Sequence, residues 1–326
     1  MRHTMRVTAI AALGALAVAA CGGGNGGSSS SGSGGGTTTL HVQETAGVPL
    51  AFVAFGMSKG FFAGQKLKID LQPSRGGATT VPALVSGKIQ VAGSNVVSLL
   101  IAASKGLPIE AIAPGTSAHG AGQKDFGALM VAKAGPIRDV KELAGKTVAV
   151  NTLNNIAEVV VKASLQKSGV DPSRVKLREI DFPEMAPALA KHDVDAAFLI
   201  EPFVSIARRA GDRILDYSYV TTEPKLQVGA YAVSRHFAQR NPDAVKRYRA
   251  AVGETATYLM AHQDEFRTFL ARQAKTPRTL ATTMELPTFT TKLNTASMQR
   301  TAALVQRFGL VKGPVEVSAL TGGAGA

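Results

Sequence analysis

The chain contains nearly the same phrase twice. Two stretches align without a gap, PALVSGKIQVA from Pro82 and PALAKHDVDAA from Pro187, 105 residues further on. The identical pairs are Pro82/Pro187, Ala83/Ala188, Leu84/Leu189 and Ala92/Ala197. Each copy has the pattern of a helix end, a turn and the strand that follows. Because the spacing is far longer than the period of a solenoid, the repeat predicts two similar lobes of about 100 residues each.

The residues around the first copy alternate between two kinds of segment. Short β-branched segments predict strands at TLHVQET, LKIDLQPS, IQVAGSN and EAIAPGT. Helices are predicted between them, and they end at Gly60, Gly87 and Gly106, the residue type that most easily takes the left-handed conformation after a helix. The same order restarts at KTVAVNT and runs to FVSIARRAG. This alternation favours an α/β fold with a mainly parallel sheet.

The two copies differ at the turn. Gly87 of the first copy is matched by His192 of the second, which must take the left-handed conformation at some cost or avoid it. After a further strand, LQVGAYAVS, the chain continues into long amphipathic helices, NPDAVKRYRAAVGETATYLMAHQDEFRTFLARQA and TKLNTASMQRTAALVQRFG. We expect this helical tail to pack on the first lobe.

The N-terminus has the features of an export signal. Arg2 and Arg6 precede a short apolar run that ends in Val18-Ala19-Ala20-Cys21. The run is too short for a membrane span, which needs about 20 apolar residues, and it fits a signal peptide over residues 1–20. Its end resembles a bacterial lipobox, which predicts lipidation of Cys21, the single cysteine of the chain. The alternative is an ordinary signal with an incidental cysteine.

A linker and a basic surface complete the outline. The Gly/Ser-rich residues 21–36 are predicted to be a disordered tether. The formal net charge of +13 becomes +11 without Arg2 and Arg6. The Lys and Arg residues are scattered without a long run, so we interpret them as a solvated surface near anionic lipid and expect no nucleic acid partner.

With these pieces in order, the chain resembles the substrate-binding lipoproteins of ABC importers. The branch is that of nitrate, taurine, aliphatic sulfonates and thiamine pyrimidine precursors, with the type-2 periplasmic-binding fold. The resemblance covers residues 40–320 and rests on the segment from Phe52 to Ala92, on IRDVKELAGKTVAV, on PALAKHDVDAAFLIEPF and on the helical tail. It implies an α/β fold of two Rossmann-like lobes joined by two crossover strands, FGALMVAK and LQVGAYAVS, with the C-terminal helices packed on the first lobe.

The resemblance also implies how the chain is divided and what it does. Lobe 1 is expected to comprise residues 37–125 plus 226–326, and lobe 2 residues 126–225. The lobes close over a solute, and this closure is a population shift driven by contacts to both lobes. The expected partners are a small anionic or zwitterionic solute (sulfonate, taurine, nitrate or similar), an ABC permease with its cytoplasmic ATPase, and the membrane through the lipid anchor. We expect an exported, membrane-anchored monomer with no cofactor and no metal.

Ligands of open α/β lobes bind beyond the carboxyl ends of the strands, where helix N-termini offer free N–H groups. The loops at those places supply the candidate ligand-binding residues Thr45, Gly47, Gly76, Gly77, Ala78, Thr79, Ser94, Asn95, Thr152, Asn154, Asn155 and Glu201. For Thr152, Asn154 and Asn155, helix capping is the alternative to ligand contact. Glu201 would repel an anion, so it contacts a cationic amine, pairs with an Arg or fixes the end of its strand.

Two other functions stay open. One is an enzyme on the same fold, such as a relative of the pyrimidine-precursor synthase, although no triad, HExxH or phosphate-loop motif is present and catalytic residues are not expected. The other is a sensor lipoprotein that binds a solute without transport. Neighbouring permease and ATPase genes would distinguish transport from sensing.

Overall fold

The structure is a computed structural model, and it describes residues 36–322. The predicted signal peptide, Cys21 and nearly all of the predicted linker lie outside the described residues. Within residues 36–322, no helix combines the length and apolar character needed to cross a membrane.

Twelve strands are formed by the described residues. In chain order they are β1 (Thr38–Thr45), β2 (Leu67–Ser74), β3 (Val91–Asn95), β4 (Ile109–Pro114), β5 (Thr116–Ser117), β6 (Gly127–Val131), β7 (Thr147–Val150), β8 (Lys176–Glu179), β9 (Ala196–Ile200), β10 (Arg213–Asp216), β11 (Gly229–Ser234) and β12 (Thr288–Phe289).

Fourteen α-helices connect and cover these strands in the described part of the chain. They are α1 (Val48–Ser58), α2 (Phe61–Gly64), α3 (Gly77–Val85), α4 (Val96–Ser104), α5 (Ile156–Lys167), α6 (Phe182–Ala190), α7 (Phe203–Ala210), α8 (Ser218–Thr222), α9 (Arg235–Arg240), α10 (Pro242–Ala261), α11 (Gln263–Gln273), α12 (Arg278–Ala281), α13 (Thr295–Arg307) and α14 (Val317–Thr321). The first predicted helix of the tail is therefore two helices, which meet at His262.

The strands form two five-stranded sheets with matching topology. The first sheet has the order β2-β1-β3-β11-β4, and the second, read from its far edge, has the order β8-β7-β9-β6-β10. In both sheets the first three strands are parallel and the fourth is antiparallel to its neighbours. The two sheets thus have the same topology, which confirms the expected α/β fold.

Helices cover both faces of the first sheet, and strand periodicity assigns the side chains to each face. On β11, Tyr231 and Val233 pack with α1, α2, α10 and α11, whereas Ala230 and Ala232 pack with α3, α4, α13 and α14. The helices of the C-terminal tail therefore contribute to both cores of this sheet.

One helix of the tail also reaches the core of the second sheet. On α13, Met298 and Ala302 belong to the core of the first sheet. Val305, further along the same helix, is fully buried in the core of the second sheet, where Leu304 and Phe308 also pack. The helical tail therefore packs on both sheets, whereas the sequence predicted packing on the first lobe alone.

The segments that join the sheets are shorter than the sequence suggested. The two predicted crossover strands are largely β6 and β11, which lie inside the second and first sheets. The crossing is made just before them, where Thr116 accepts from the Val228 N–H at 3.0 Å and the Ala118 N–H donates to Leu226 at 2.9 Å. Gln227 of this pair of segments is fully buried. Strand propensity located these elements but not the sheet to which each belongs.

The repeated phrase occupies equivalent corners of the two lobes. After α3, Gly87 has a φ of 76°, and after α6, His192 has a φ of 58°. The hydrogen bonds that follow are also equivalent, since the Lys88 N–H donates to Ala83 and the Asp193 N–H to Ala188, each at 3.0 Å. His192 therefore takes the left-handed turn that glycine takes more easily, and the phrase is scaffold in both lobes.

Candidate functional site

A cavity of about 40 Å³ lies between the two sheets. On the side of the first sheet it is lined by Glu44, Thr45, Pro49, Ser94, Asn95, Gly115, Thr116, Val228, Gly229, Ala230 and Tyr231. On the side of the second sheet it is lined by Phe126, Asn151, Asn155, Ile156, Phe182, Ile200 and Tyr219. Its volume is enough for a few water-sized groups.

The position of the cavity follows from the topology. The strands β1, β3 and β9 end at Thr45, Asn95 and Ile200, and all three residues line the cavity. The carboxyl ends of the parallel strands from both sheets therefore meet here, as expected for open α/β sheets. Since the lining comes from both sheets, a bound solute would contact both lobes at once.

Asn95 connects the helix N-termini of the two lobes. Its side-chain oxygen accepts from the Ser98 N–H of α4 at 2.9 Å and from the Ile156 N–H of α5 at 3.2 Å. Its amide nitrogen donates to the Ser98 hydroxyl at 3.1 Å. Asn95 is thus both a cap of α4 and an interlobe contact, and it lines the cavity with much of its hydrogen-bonding capacity already used.

Two asparagines form the polar wall of the second lobe. The Asn155 side-chain oxygen caps α5 by accepting from the Ala157 N–H at 3.2 Å, and its amide nitrogen donates to the Thr152 hydroxyl at 2.6 Å. The Asn151 amide nitrogen crosses the cleft and donates to the Arg75 carbonyl at 2.6 Å. Neutral amides, fixed by capping and by interlobe bonds, therefore face the cavity here.

Two consecutive glycines bring the first lobe close to this wall. A methyl group on Gly76 would lie 2.8 Å from the Asn151 amide nitrogen, and one on Gly77 would lie 2.2 Å from the Ser94 hydroxyl. Gly76 has a φ of 148°, a backbone conformation that residues other than glycine rarely adopt. These two glycines therefore let the backbone of the first lobe approach the Asn151 and Ser94 side chains closely, and neither glycine lines the cavity.

Four of the predicted ligand-binding residues line the cavity: Thr45, Ser94, Asn95 and Asn155. The others lie around it without being part of its lining, and their contact with a solute stays a prediction: Gly47, Gly76, Gly77, Ala78, Thr79, Thr152, Asn154 and Glu201. Among these, Ala78, Thr79 and Asn154 are exposed.

Glu201 is fully buried beside the cleft and is held by its own lobe and by the C-terminal region. Its carboxylate accepts from the Ser205 N–H of α7 at 3.1 Å, from the Ser205 hydroxyl at 2.8 Å and from the Glu285 N–H at 3.2 Å. Burial raises the pKa of Glu201 to about 7, against an ordinary value of 4.5. The side chain therefore accepts from the first turn of α7, and its contact with a solute stays a prediction.

An exposed ion pair lies at the mouth of the cleft. Arg75, from the loop before α3, pairs with Asp181 at the start of α6, and each side chain is about half exposed. With Phe182, which also lines the cavity, they surround a surface depression next to it. The pair joins the two lobes at this depression.

The cavity also contains residues that the sequence reasoning missed. The carboxylate of Glu44 and the phenol of Tyr231 line it, as does Asn151. Glu44 could have been found, because Leu40, Val42 and Glu44 alternate along β1 and the first two are buried core residues. A carboxylate on the buried face of a strand is unusual enough to mark a site.

Comparisons with known proteins agree with this architecture. The family model described as NMT1/THI5 like matches residues 50–266. The taurine-binding periplasmic protein of Escherichia coli is 27% identical over 192 residues, which is 59% of this chain and 58% of that protein, so less than two thirds of the relative is matched.

Two solved structures show the same fold. The alkanesulfonate-binding protein SsuA from Xanthomonas axonopodis pv. citri bound to MOPS has a TM-score of 0.74, at 17% identity over 87% of this chain and 98% of that chain. The periplasmic aliphatic sulphonate binding protein SsuA from Escherichia coli has a TM-score of 0.67, at 18% identity over 87% and 91%. Because the family model matches more than half of the sequence, the chain belongs to the NMT1/THI5-like family, with the type-2 periplasmic-binding fold.

Proposed function

We propose that this protein is an extracytoplasmic solute-binding protein that captures a small anionic or zwitterionic solute between its lobes. The observation that carries this proposal is the cavity at the meeting of the two sheets, which is lined by polar groups from both. A solute that contacts both lobes only when they are shut stabilises the shut form. The family and the named relatives, which bind taurine and alkanesulfonate, support sulfonates or taurine as the solute class.

We further propose that the protein delivers its solute to an ABC permease, is held at the membrane through Cys21 and does not convert the solute chemically. Periplasmic relatives support export and a transport partner. Replacement of Cys21 by Ala should release or misprocess the protein while solute affinity stays unchanged. Cell fractionation followed by a binding assay on the released protein would check this, and a loss of affinity would mean that the N-terminus is part of the site.

A thermal-shift panel tests the solute class. Taurine, ethanesulfonate, nitrate and a pyrimidine are each added at millimolar concentration to the purified protein. A solute at about 100 times its Kd stabilises the folded state by about 2.7 kcal/mol, which raises Tm by several degrees. A panel without any rise in Tm would contradict the proposed solute class. Mass spectrometry of the freshly purified protein would identify a solute that had been carried through purification.

A further inference from the structure

The ionisable side chains that line the cavity carry only negative charge. Among its lining residues Glu44 is the only carboxylate, and none is a Lys, Arg or His. The acceptor groups and the single charge favour a positively charged group in the solute, whereas a simple anion would face a carboxylate without a cation to balance it.

Glu44 is held in place by its surroundings. It is only 4% exposed, and its Oε1 accepts from the Thr45 N–H at 2.6 Å. The nearby Tyr231 hydroxyl partly opposes the rise in the pKa of the same carboxylate. The other carboxylate oxygen, Oε2, packs directly against Gly93. A methyl group on Gly93 would lie 1.9 Å from Oε2, so only glycine at this position leaves room for the carboxylate.

The groups that face Glu44 supply no positive charge. Its titratable neighbours are Tyr231 on β11 and Tyr248 on α10, and burial raises the pKa of both phenols, which keeps them neutral. Within residues 36–322, Glu44 makes no ion pair. Burial also raises the pKa of Glu44 to about 7, from an ordinary value of 4.5. A desolvated carboxylate of this kind gains most from a partner that brings its own charge.

Aromatic rings add to this preference. The side chains of Phe126, Phe182, Tyr219 and Tyr231 all line the cavity, and the rings of Phe126 and Tyr219 have centroids 4.9 Å apart. The faces of aromatic rings attract cations within about 6 Å of the ring centroid. On the second lobe, the Asn151 amide nitrogen makes one hydrogen bond within the described residues, to the Arg75 carbonyl, which leaves its second N–H for an oxyanion.

We propose that Glu44 and these four rings form a subsite for an ammonium group, so that the solute is a compact zwitterion such as an amino-sulfonate. This inference rests on the proposed solute-binding function and narrows its solute class. It makes Glu44 the residue that separates zwitterions from simple anions of the same size.

Taurine and ethanesulfonate are the matched probes, because they differ only in the ammonium group. Isothermal titration calorimetry gives the Kd of both for the wild-type protein, for Glu44→Gln and for the exposed control Glu184→Gln. Glu44→Gln should weaken taurine binding about 30-fold or more, as expected for loss of one partner of a buried charge pair. Ethanesulfonate binding should stay unchanged or become tighter. Glu184→Gln should change neither Kd.

The pH dependence of the wild-type protein provides a second test that needs no variant. Protonation of Glu44 removes its charge, so taurine affinity should fall as the pH decreases from 8 to 6, by up to about tenfold per pH unit. Ethanesulfonate affinity should stay constant or rise over the same range.

The outcomes separate the two proposals. If ethanesulfonate binds as well as taurine, and Glu44→Gln leaves the ratio of the two Kd values unchanged, the ammonium subsite is wrong while the solute-binding proposal stands. If the wild-type protein binds neither probe, the proposed solute class fails and the subsite fails with it.

Discussion

The buried carboxylate of Glu201 should make folding stability depend on pH in a way that one substitution removes. Because the pKa of Glu201 is about 7 in the folded protein and 4.5 ordinarily, the group contributes stability that is fully present below about pH 4.5. That contribution is lost as the pH rises through 7. Glu201→Gln removes the ionisation and keeps one of the two side-chain oxygens, which can accept from the Ser205 N–H or from the Glu285 N–H but not from both. The lost hydrogen bond lowers stability equally at both pH values, so the pH dependence still reports the ionisation.

The size of the effect follows from the gap between the two pKa values. At about 1.4 kcal/mol per pKa unit, a rise from 4.5 to about 7 corresponds to roughly 3 kcal/mol of unfolding free energy. Burial raises the pKa of Glu44 and Asp125 to about 7 as well, so the wild-type protein should lose more than this in total. The difference between wild type and Glu201→Gln isolates the contribution of Glu201.

The assay is thermal and urea unfolding of both proteins at pH 5 and pH 8. Between these conditions the variant should gain about 2.5 kcal/mol relative to wild type, or roughly 4 °C in Tm from the average unfolding entropy per residue. The exposed control Glu184→Gln should follow wild type at both pH values. If the difference between wild type and Glu201→Gln changes by less than 1 kcal/mol, the assignment of a raised pKa to Glu201 is refuted.

Three further predictions concern the repeated corner, the glycine contact and the ion pair. His192→Gly should raise unfolding free energy by about 0.5–1 kcal/mol in urea unfolding, since it removes a side chain from a φ of 58°; destabilisation would contradict this. Gly77→Ala should lower the unfolding free energy by about 1–3 kcal/mol, because the added methyl group would lie 2.2 Å from the buried Ser94 hydroxyl. The control Gly64→Ala has open space around it and should change the unfolding free energy by less than about 1 kcal/mol. A double-mutant cycle of Arg75→Ala and Asp181→Ala should give a coupling of at most about 1 kcal/mol in solute affinity; a coupling that persists in about 0.5 M salt would exclude an exposed ion pair as its source.

Much of the fold could be predicted because its signals are local. The alternation of strands and helices, and the glycines at helix ends, indicated the two α/β lobes, and Gly60, Gly87 and Gly106 all have the expected left-handed conformation. The sheet to which β6 and β11 belong is set by pairing between residues far apart in the sequence. Neither that pairing nor the attachment of α13 to two cores has a local signal.

The site was predictable to the extent that it follows the topology. Thr45, Ser94, Asn95 and Asn155 were found because they end strands or begin helices. The partners of a buried carboxylate are different, because the Glu285 N–H that reaches Glu201 comes from 84 residues away. Sequence reasoning therefore located the walls of the cavity but not its one buried charge, Glu44, nor the capping role of Glu201.

The attachment of α13 to both cores has a consequence for the direction in which solute enters. Met298 packs in the core of the first sheet and Val305 in the core of the second, while α4 and α5 also contact each other. Parting the lobes on this side would expose buried apolar surface, at about 25 cal/mol per Å². On its own side of the cleft, the exposed Arg75–Asp181 ion pair contributes far less free energy to keeping the lobes together. We therefore expect α13 to lie near the axis about which the lobes rotate. The lobes should then separate at Arg75 and Asp181, and solute should enter the cleft on that side.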